Sequence, residues 1–278
     1  MLRLLNIELQ KIRYNKSAKA ITIVYFVLIT FIALIASIEF NFGGVNFRVA
    51  DQGIFNFPFV WHFNSYIGAT LKIFLAIVIV SMMANEYSYR TLKQNLIDGL
   101  SKKEFVISKF LTVVLFAVIS TIFLFIVSML LGLGFSDYTE IGIIFSDLEY
   151  VFAYFIKLVA FFSFCLFLGI LVKRSAFALG FLIIWFVGEK IVYGLMEWKF
   201  FKDTNIADNV SMFFPLEAMS NLITEPFTRL GAVQSAANQL GEEFTKSYAV
   251  EWYTVLICLV WTALFIYWSY VILKRRDL

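Results

Sequence analysis

Six apolar runs long enough to cross a bilayer punctuate the chain, at residues 21–38, 66–84, 110–135, 150–172, 176–196 and 252–273. At 1.5 Å rise per residue, each spans a hydrocarbon core of about 30 Å, the first barely and the third with tilt or a projecting end. None shows the alternation of a barrel strand. Backbone facing lipid has no water to satisfy it, so each run is predicted to be a helix. The pattern predicts an all-α polytopic membrane protein with six transmembrane helices, in a single transmembrane domain over 1–278.

The segments between the runs carry patterns of their own. Leu2, Leu5, Leu9 and Ile12 recur at helical spacing while Arg3, Lys11, Arg13 and Lys16 face elsewhere, so residues 1–20 predict a basic amphipathic elbow helix along the inner membrane surface. In 85–109, Leu92 and Leu96 share one face of a helix continuing past the second run, and Gly99 supplies a residue able to leave it at positive φ. Ser101, three residues before Glu104, then predicts a capping box that starts the next helix. This loop is therefore read as helix, glycine turn and helix: a stiff elbow bearing Arg90, Lys93, Lys102 and Lys103.

The 55 residues of 197–251 are too long for a plain connection. Pro215 suits a first helical position, Glu217 complements the helix dipole, and Leu216, Met219 and Ile223 share a face up to Glu225 and Pro226. A second stripe follows at Val233, Ala236 or Ala237, Leu240 and Phe244. Helices with such faces dip into the outer leaflet, cap the bundle or pack on each other.

Composition agrees with the pattern. Of 278 residues, 61% are hydrophobic and 15% charged, which excludes a soluble, disordered or collagen-like chain. Cys165 and Cys258 both fall inside runs, so no disulfide or metal framework is expected. A net charge of +3 is too small to point to nucleic acid. The distribution of charge says more: fifteen Lys and Arg lie before the first run, in 85–109, at Lys173 and Arg174, and at the end, whereas the opposite loops hold five basic against fourteen acidic residues. The positive-inside bias then places both termini in the cytoplasm. Twenty residues precede the first apolar core, long for a cleaved signal peptide, so that core is read as a span.

Candidate chemistry is sparse. Lys72, Lys157 and Glu189 lie inside runs at a common depth; a cross-helix pair of Glu189 with Lys157 or Lys72 would offset part of their insertion cost, and the alternatives are a polar substrate lining or lysines that snorkel. The one histidine, His62, beside Trp61, suits an interfacial anchor and leaves no multi-histidine metal site. There is no G-x-S-x-G turn and no G-x-x-x-x-G-K-[ST] loop, so the chain is not expected to be an enzyme, and work drawn from ATP must come from another subunit.

The order of features, and above all Glu86-Tyr-Ser-Tyr-Arg90-Thr91-Leu92 followed by Ser101-Lys102 and Lys109, resembles the permease subunit of type-2 ATP-binding-cassette (ABC) exporters, as does the ending Lys274-Arg275-Arg276-Asp277-Leu278. Where that family commonly has glycine before the threonine this chain has Arg90, and it has Lys102 where arginine is usual. The resemblance implies a bacterial inner-membrane permease that dimerises with itself or a sister chain and docks two cytoplasmic ATPases, which alone bind ATP and magnesium. The coupling contact would fall on Glu86, Arg90, Thr91, Leu92, Lys93, Leu96, Gly99, Ser101, Lys102 and Glu104, and the substrate would be hydrophobic or amphipathic. A proton- or ion-coupled secondary transporter and a non-transporting structural subunit are the alternatives. The former usually needs spans broken near the midplane, whereas Pro58, Pro215 and Pro226 all lie outside the apolar runs.

Overall fold

The computed structural model describes residues 2–42, 45–48, 53–200, 206–230, 233–235, 237 and 247–276. In chain order the helices are α1 (Leu2–Tyr14), α2 (Lys16–Ser37), α3 (Phe59–Thr70), α4 (Lys72–Ser88), α5 (Thr91–Ile97), α6 (Lys102–Phe135), α7 (Ile141–Ile144), α8 (Glu149–Val172), α9 (Ser175–Leu195), α10 (Ile206–Ser211), α11 (Pro215–Asn221) and α12 (Trp252–Arg275). The architecture is all-helical, as the apolar runs predict, with one addition. Between α2 and α3, strands β1 (Glu39–Phe42) and β2 (Val45–Arg48) pair antiparallel, Phe42 opposite Val45.

Among the described residues, four segments are long and apolar enough to cross a membrane: α6, residues 141–172 ending in α8, residues 175–199 beginning with α9, and α12. A fifth is a broken one. α3 and α4 qualify together but meet at Leu71 with a 42° bend. The unbroken second span expected from residues 66–84 is therefore replaced by two helices starting at Phe59. No proline or glycine sits at the break, but three residues earlier Gly68 seats α3 so closely on α6 and α8 that an added Cβ would lie 2.5 Å from Leu124 Cδ1 and 3.2 Å from Tyr154 Cε2. α2 covers the first predicted span with 22 residues. α6 is the longest helix at 34 residues, about 51 Å. That exceeds a bilayer core of about 30 Å, so one end of α6 projects beyond it.

The core forms around α8, which packs against α3, α4, α6, α9, α11 and α12. Of its apolar window 78% is buried, against 17% for the window that includes α9. Helix α9 thus presents most of its apolar surface outward. At one end of the bundle the chain reverses at Lys173, whose φ of 65° and N–H bond to the Gly169 carbonyl end α8 before Ser175 starts α9.

At the other end, α11 has Pro215 at its first turn as expected, and Ala218, Met219, Leu222 and Ile223 are all buried. It packs on α8, α9 and α12, so of the arrangements open to this segment it adopts the cap on the bundle. It stops at Asn221, before the Glu225–Pro226 pair read as its end. Of the second stripe, Val233 and Ala237 are helical; Ala236, Leu240 and Phe244 lie outside the described residues.

Candidate functional site: an ion-locked joint at the basic end

Three elements that are far apart in sequence meet at one end of the bundle because each brings a charge that the others neutralise. α1 and α2 are separate helices, divided at Asn15, whose Oδ1 accepts the Ala18 N–H at 3.1 Å and so caps α2. The turn lays α1 against α2 and α6. Glu8 on α1, Glu86 near the end of α4 and Lys109 in the third turn of α6 are then enclosed, at 4%, 2% and 0% exposure.

Lys109 Nζ donates to Glu8 Oε2 at 2.5 Å and to Glu86 Oε1 at 2.6 Å. Lys11 Nζ donates to the same Glu86 Oε1 at 2.8 Å and to Glu8 Oε1 at 3.1 Å. The second Glu86 oxygen accepts the Thr91 hydroxyl of α5 at 2.5 Å. Two carboxylates and two ammoniums thus alternate in a closed square of zero net charge, and Thr91 ties the short helix α5 to it. Burial works against a charged Lys11, but its hydrogen bond to Glu86 and the negative charges of Glu8 and Glu86 outweigh it and raise its pKa. A cavity of about 430 Å³ opens beside the square, between α1, α2 and α4, edged by Lys11, Asn15, Asn85, Glu86, Tyr89 and Thr91.

The stretch from α4 to α6 follows the predicted plan with one correction. The helix continues past residue 84 only as far as Ser88: the chain breaks at Arg90, which sits at φ 56°, ψ 19°, and α5 begins anew at Thr91. This left-handed conformation costs a residue bearing a Cβ about 1–2 kcal/mol and costs glycine nothing comparable. The position is the one where the resemblance expects glycine. Arg90→Gly should therefore stabilise the chain by about 0.5–1 kcal/mol, read as a rise in the denaturation midpoint with an unchanged slope; a fall would show that the Arg90 side chain carries the turn.

Gly99, at φ 97°, ends the segment as expected, and the capping box is present: the Glu104 N–H donates to Ser101 Oγ at 3.2 Å and the Ser101 N–H to Glu104 Oε2 at 3.0 Å. Leu92 is buried at 1% exposure and Leu96 packs half-buried against the core, anchoring the inner face of α5. Its outer face carries Lys93 and Ile97, next to Arg90 at its N-cap, all exposed, with Ile97 at 69%.

Lys102 turns toward the other terminus, its Nζ donating to the Arg276 carbonyl at 2.8 Å and the Lys274 carbonyl at 3.3 Å. Arg276 in turn donates to the Ile170 carbonyl at 2.5 Å, the Leu171 carbonyl at 2.9 Å and the Tyr87 hydroxyl at 3.0 Å. It thereby satisfies carbonyls that the end of α8 leaves without intrahelical partners. α1, the ends of α4, α8 and α12 and the start of α6 are thus fastened together at the basic end.

Of the arrangements open to Lys72, Lys157 and Glu189, the cross-helix pair is not formed. Glu189 pairs with neither lysine. Its carboxylate accepts the Leu216 and Glu217 N–H groups, each at 3.1 Å, and the Trp185 indole N–H at 2.7 Å, capping α11 from α9. The donors of a short helix start were nearer than any ammonium. Lys157 Nζ donates to the Ser220 carbonyl at 3.2 Å, and Lys72 Nζ lies 4.8 Å from the Phe161 ring centre. Lys190 pairs with Glu217 at 2.5 Å.

His62, read as an interfacial anchor, packs inside the protein. It is fully buried, stacked on Tyr150 at 4.2 Å, with one ring nitrogen on the Thr224 carbonyl and the other facing Arg229 at 3.0 Å.

Long apolar helices around an enclosed central one, with an ionic joint where the basic residues collect, define a multi-pass membrane protein. The chain belongs to the ABC-2 family of transporter proteins, whose family model matches residues 2–278. Among curated proteins none matches it. Membership supports a permease of an ABC transporter, a membrane component that implies an ABC ATPase beside it.

Proposed function

We propose that this chain is the membrane-spanning permease of an ATP-driven exporter, moving a hydrophobic or amphipathic substrate out of the cell by alternating access. The observation that carries the reading is the joint at Glu86. The exposed face of α5 lies on a helix hydrogen-bonded to the same carboxylate that holds α1 and α6, so a push on Arg90, Lys93 and Ile97 reaches two spans and the elbow together. A two-state bundle is switched by such a contact when the partner binds one state better than the other.

In this reading residues 1–278 form one domain with six spans, counting α2 and taking α3 with α4 as one. Residues 1–20 are the amphipathic elbow, 85–109 the cytoplasmic coupling loop and 197–251 the extracytoplasmic helical segment. Both termini face the cytoplasm across a bacterial inner membrane, as the clustering of basic residues at one end supports. ATP and magnesium belong to the ATPase dimer docked at Glu86, Arg90, Thr91, Leu92, Lys93, Leu96, Gly99, Ser101, Lys102 and Glu104. The outward apolar face of α9 suits lipid or a second permease chain.

The test is purification of the tagged chain from its native membrane. Stoichiometric recovery of a P-loop subunit with ATPase activity is the expected result. Arg90→Glu combined with Lys93→Glu should release that subunit by tenfold or more while changing stability by only about 0.5 kcal/mol, because both side chains are exposed. Continued binding with full activity would remove α5 from the interface. The bend at Leu71 is the one feature that favours a secondary transporter, and transport by the lone chain under a proton gradient would establish that reading instead.

A further inference from the structure

We infer that Lys72 and Lys157 form the recognition site for an anionic headgroup, and that the ligand is an amphiphile carrying a carboxylate or phosphate on an apolar chain. The inference rests on the permease reading and narrows its substrate class.

Lys72 is the first residue of α4, set at the bend, and its ammonium lies over the Phe161 ring. Phe161 stands one helical turn after Lys157 on the same face of α8, so the two cations approach one patch of that helix. Lys157 is 4% exposed and gives a hydrogen bond to the Ser220 carbonyl. Lys72, Phe161 and Ser220 line a single cavity of about 230 Å³ beneath α11, whose other walls include Leu182, Phe186 and Met219. Lys72 therefore brings an ammonium to a space that is otherwise mostly apolar, and Lys157 stands behind one of its walls, hydrogen-bonded to Ser220.

Among the described residues no acid answers them. Glu189 gives both oxygens to α11 and the Trp185 indole, and Glu217 is paired with Lys190. Among the described residues neither Lys72 nor Lys157 meets a carboxylate. Uncompensated cations in a membrane span are costly and mark a ligand path or counter-ion site. An anionic head supplies the missing charge, and the apolar walls take the start of the chain attached to it. A neutral or cationic amphiphile supplies neither.

The probe is dansyl-undecanoate, with its methyl ester as the neutral control, added to the full chain with its ATPase in phosphatidylcholine nanodiscs. Saturable binding of the carboxylate is expected, about tenfold or more tighter than the ester. Lys72→Met and Lys157→Met should each reduce carboxylate binding about tenfold and leave the ester unchanged, Lys72→Arg should retain the preference, and Lys190→Met should have no effect.

Phosphatidylglycerol in the nanodisc distinguishes the source of the headgroup. Displacement of the probe identifies a bilayer lipid as the occupant, and no displacement identifies a distinct exported amphiphile; either supports the site when charge dependence is present. Equal binding of acid and ester, or a loss of both in Lys157→Met, overturns it and reduces Lys157 to a clamp on Ser220. ATPase co-purification is unaffected by that failure, so the permease reading stands or falls separately.

Discussion

Replacing Lys109 by methionine is expected to be among the most damaging single changes in the chain, at about 3–5 kcal/mol, because it leaves two enclosed carboxylates facing each other with only Lys11 between them. Methionine fits the space, so the loss comes from charge and not from a cavity. Combining it with Glu8→Gln restores neutrality, with one positive and one negative group left, and should recover much of the stability. Thermal unfolding in detergent reads both variants. A Lys109→Met protein that melts with the parent would show that the square contributes nothing. The functional readout is separate: with the joint loosened, the ATPase should still bind the exposed face of α5, but hydrolysis should no longer drive transport.

The second large effect is expected at the other end. Glu189→Leu deprives the Leu216 and Glu217 amides and the Trp185 indole of a charged acceptor, and leaving such donors unpaired costs about 2–3 kcal/mol. Since α11 is only seven residues long, it has little of its own to hold it in place. Met219, 1% exposed, serves as the reporter. In a Met219→Cys background the thiol should resist a membrane-impermeant maleimide, and adding Glu189→Leu should make it reactive. Glu189→Gln, which keeps one acceptor oxygen, should fall between. If the thiol stays protected and the melting temperature is unmoved, the carboxylate does not hold the cap.

Much of this was legible in the sequence because it is local. Apolar runs mark their own helices, Ser101 and Glu104 find each other within one turn, Gly99 supplies the positive φ it suggests, and Pro215 opens α11. The ribbon of β1 and β2 was missed although Gly43 and Gly44 sit between Phe-Asn-Phe and Val-Asn-Phe, the alternation that marks a hairpin. The joint was only half legible. Glu86 stood out by resemblance, but Glu8 lies 101 residues from Lys109, and no spacing rule joins them.

The one available signal was that Glu8 is the sole acid in the first 38 residues, on a helix otherwise arrayed with basic side chains. Of the arrangements open to Glu189, pairing with a lysine is not adopted for a physical reason: periodicity places charged side chains, but it does not count the backbone amides of a helix start that compete for the same carboxylate. The bend at Leu71 has no sequence mark either, because close packing at Gly68 happens across three helices.

The square of Glu8, Lys11, Glu86 and Lys109 closes on itself, largely sheltered from water, while Arg90 and Lys93 stand in it. Dissolved ions discriminate between two such places: the Debye length shrinks from about 10 Å at 0.1 M to about 3 Å at 1 M, which weakens contacts across solvent and hardly reaches enclosed ones. Concentrated salt should therefore strip the motor subunit from the membrane part while the latter keeps its shape, and dialysis should bring the two together again.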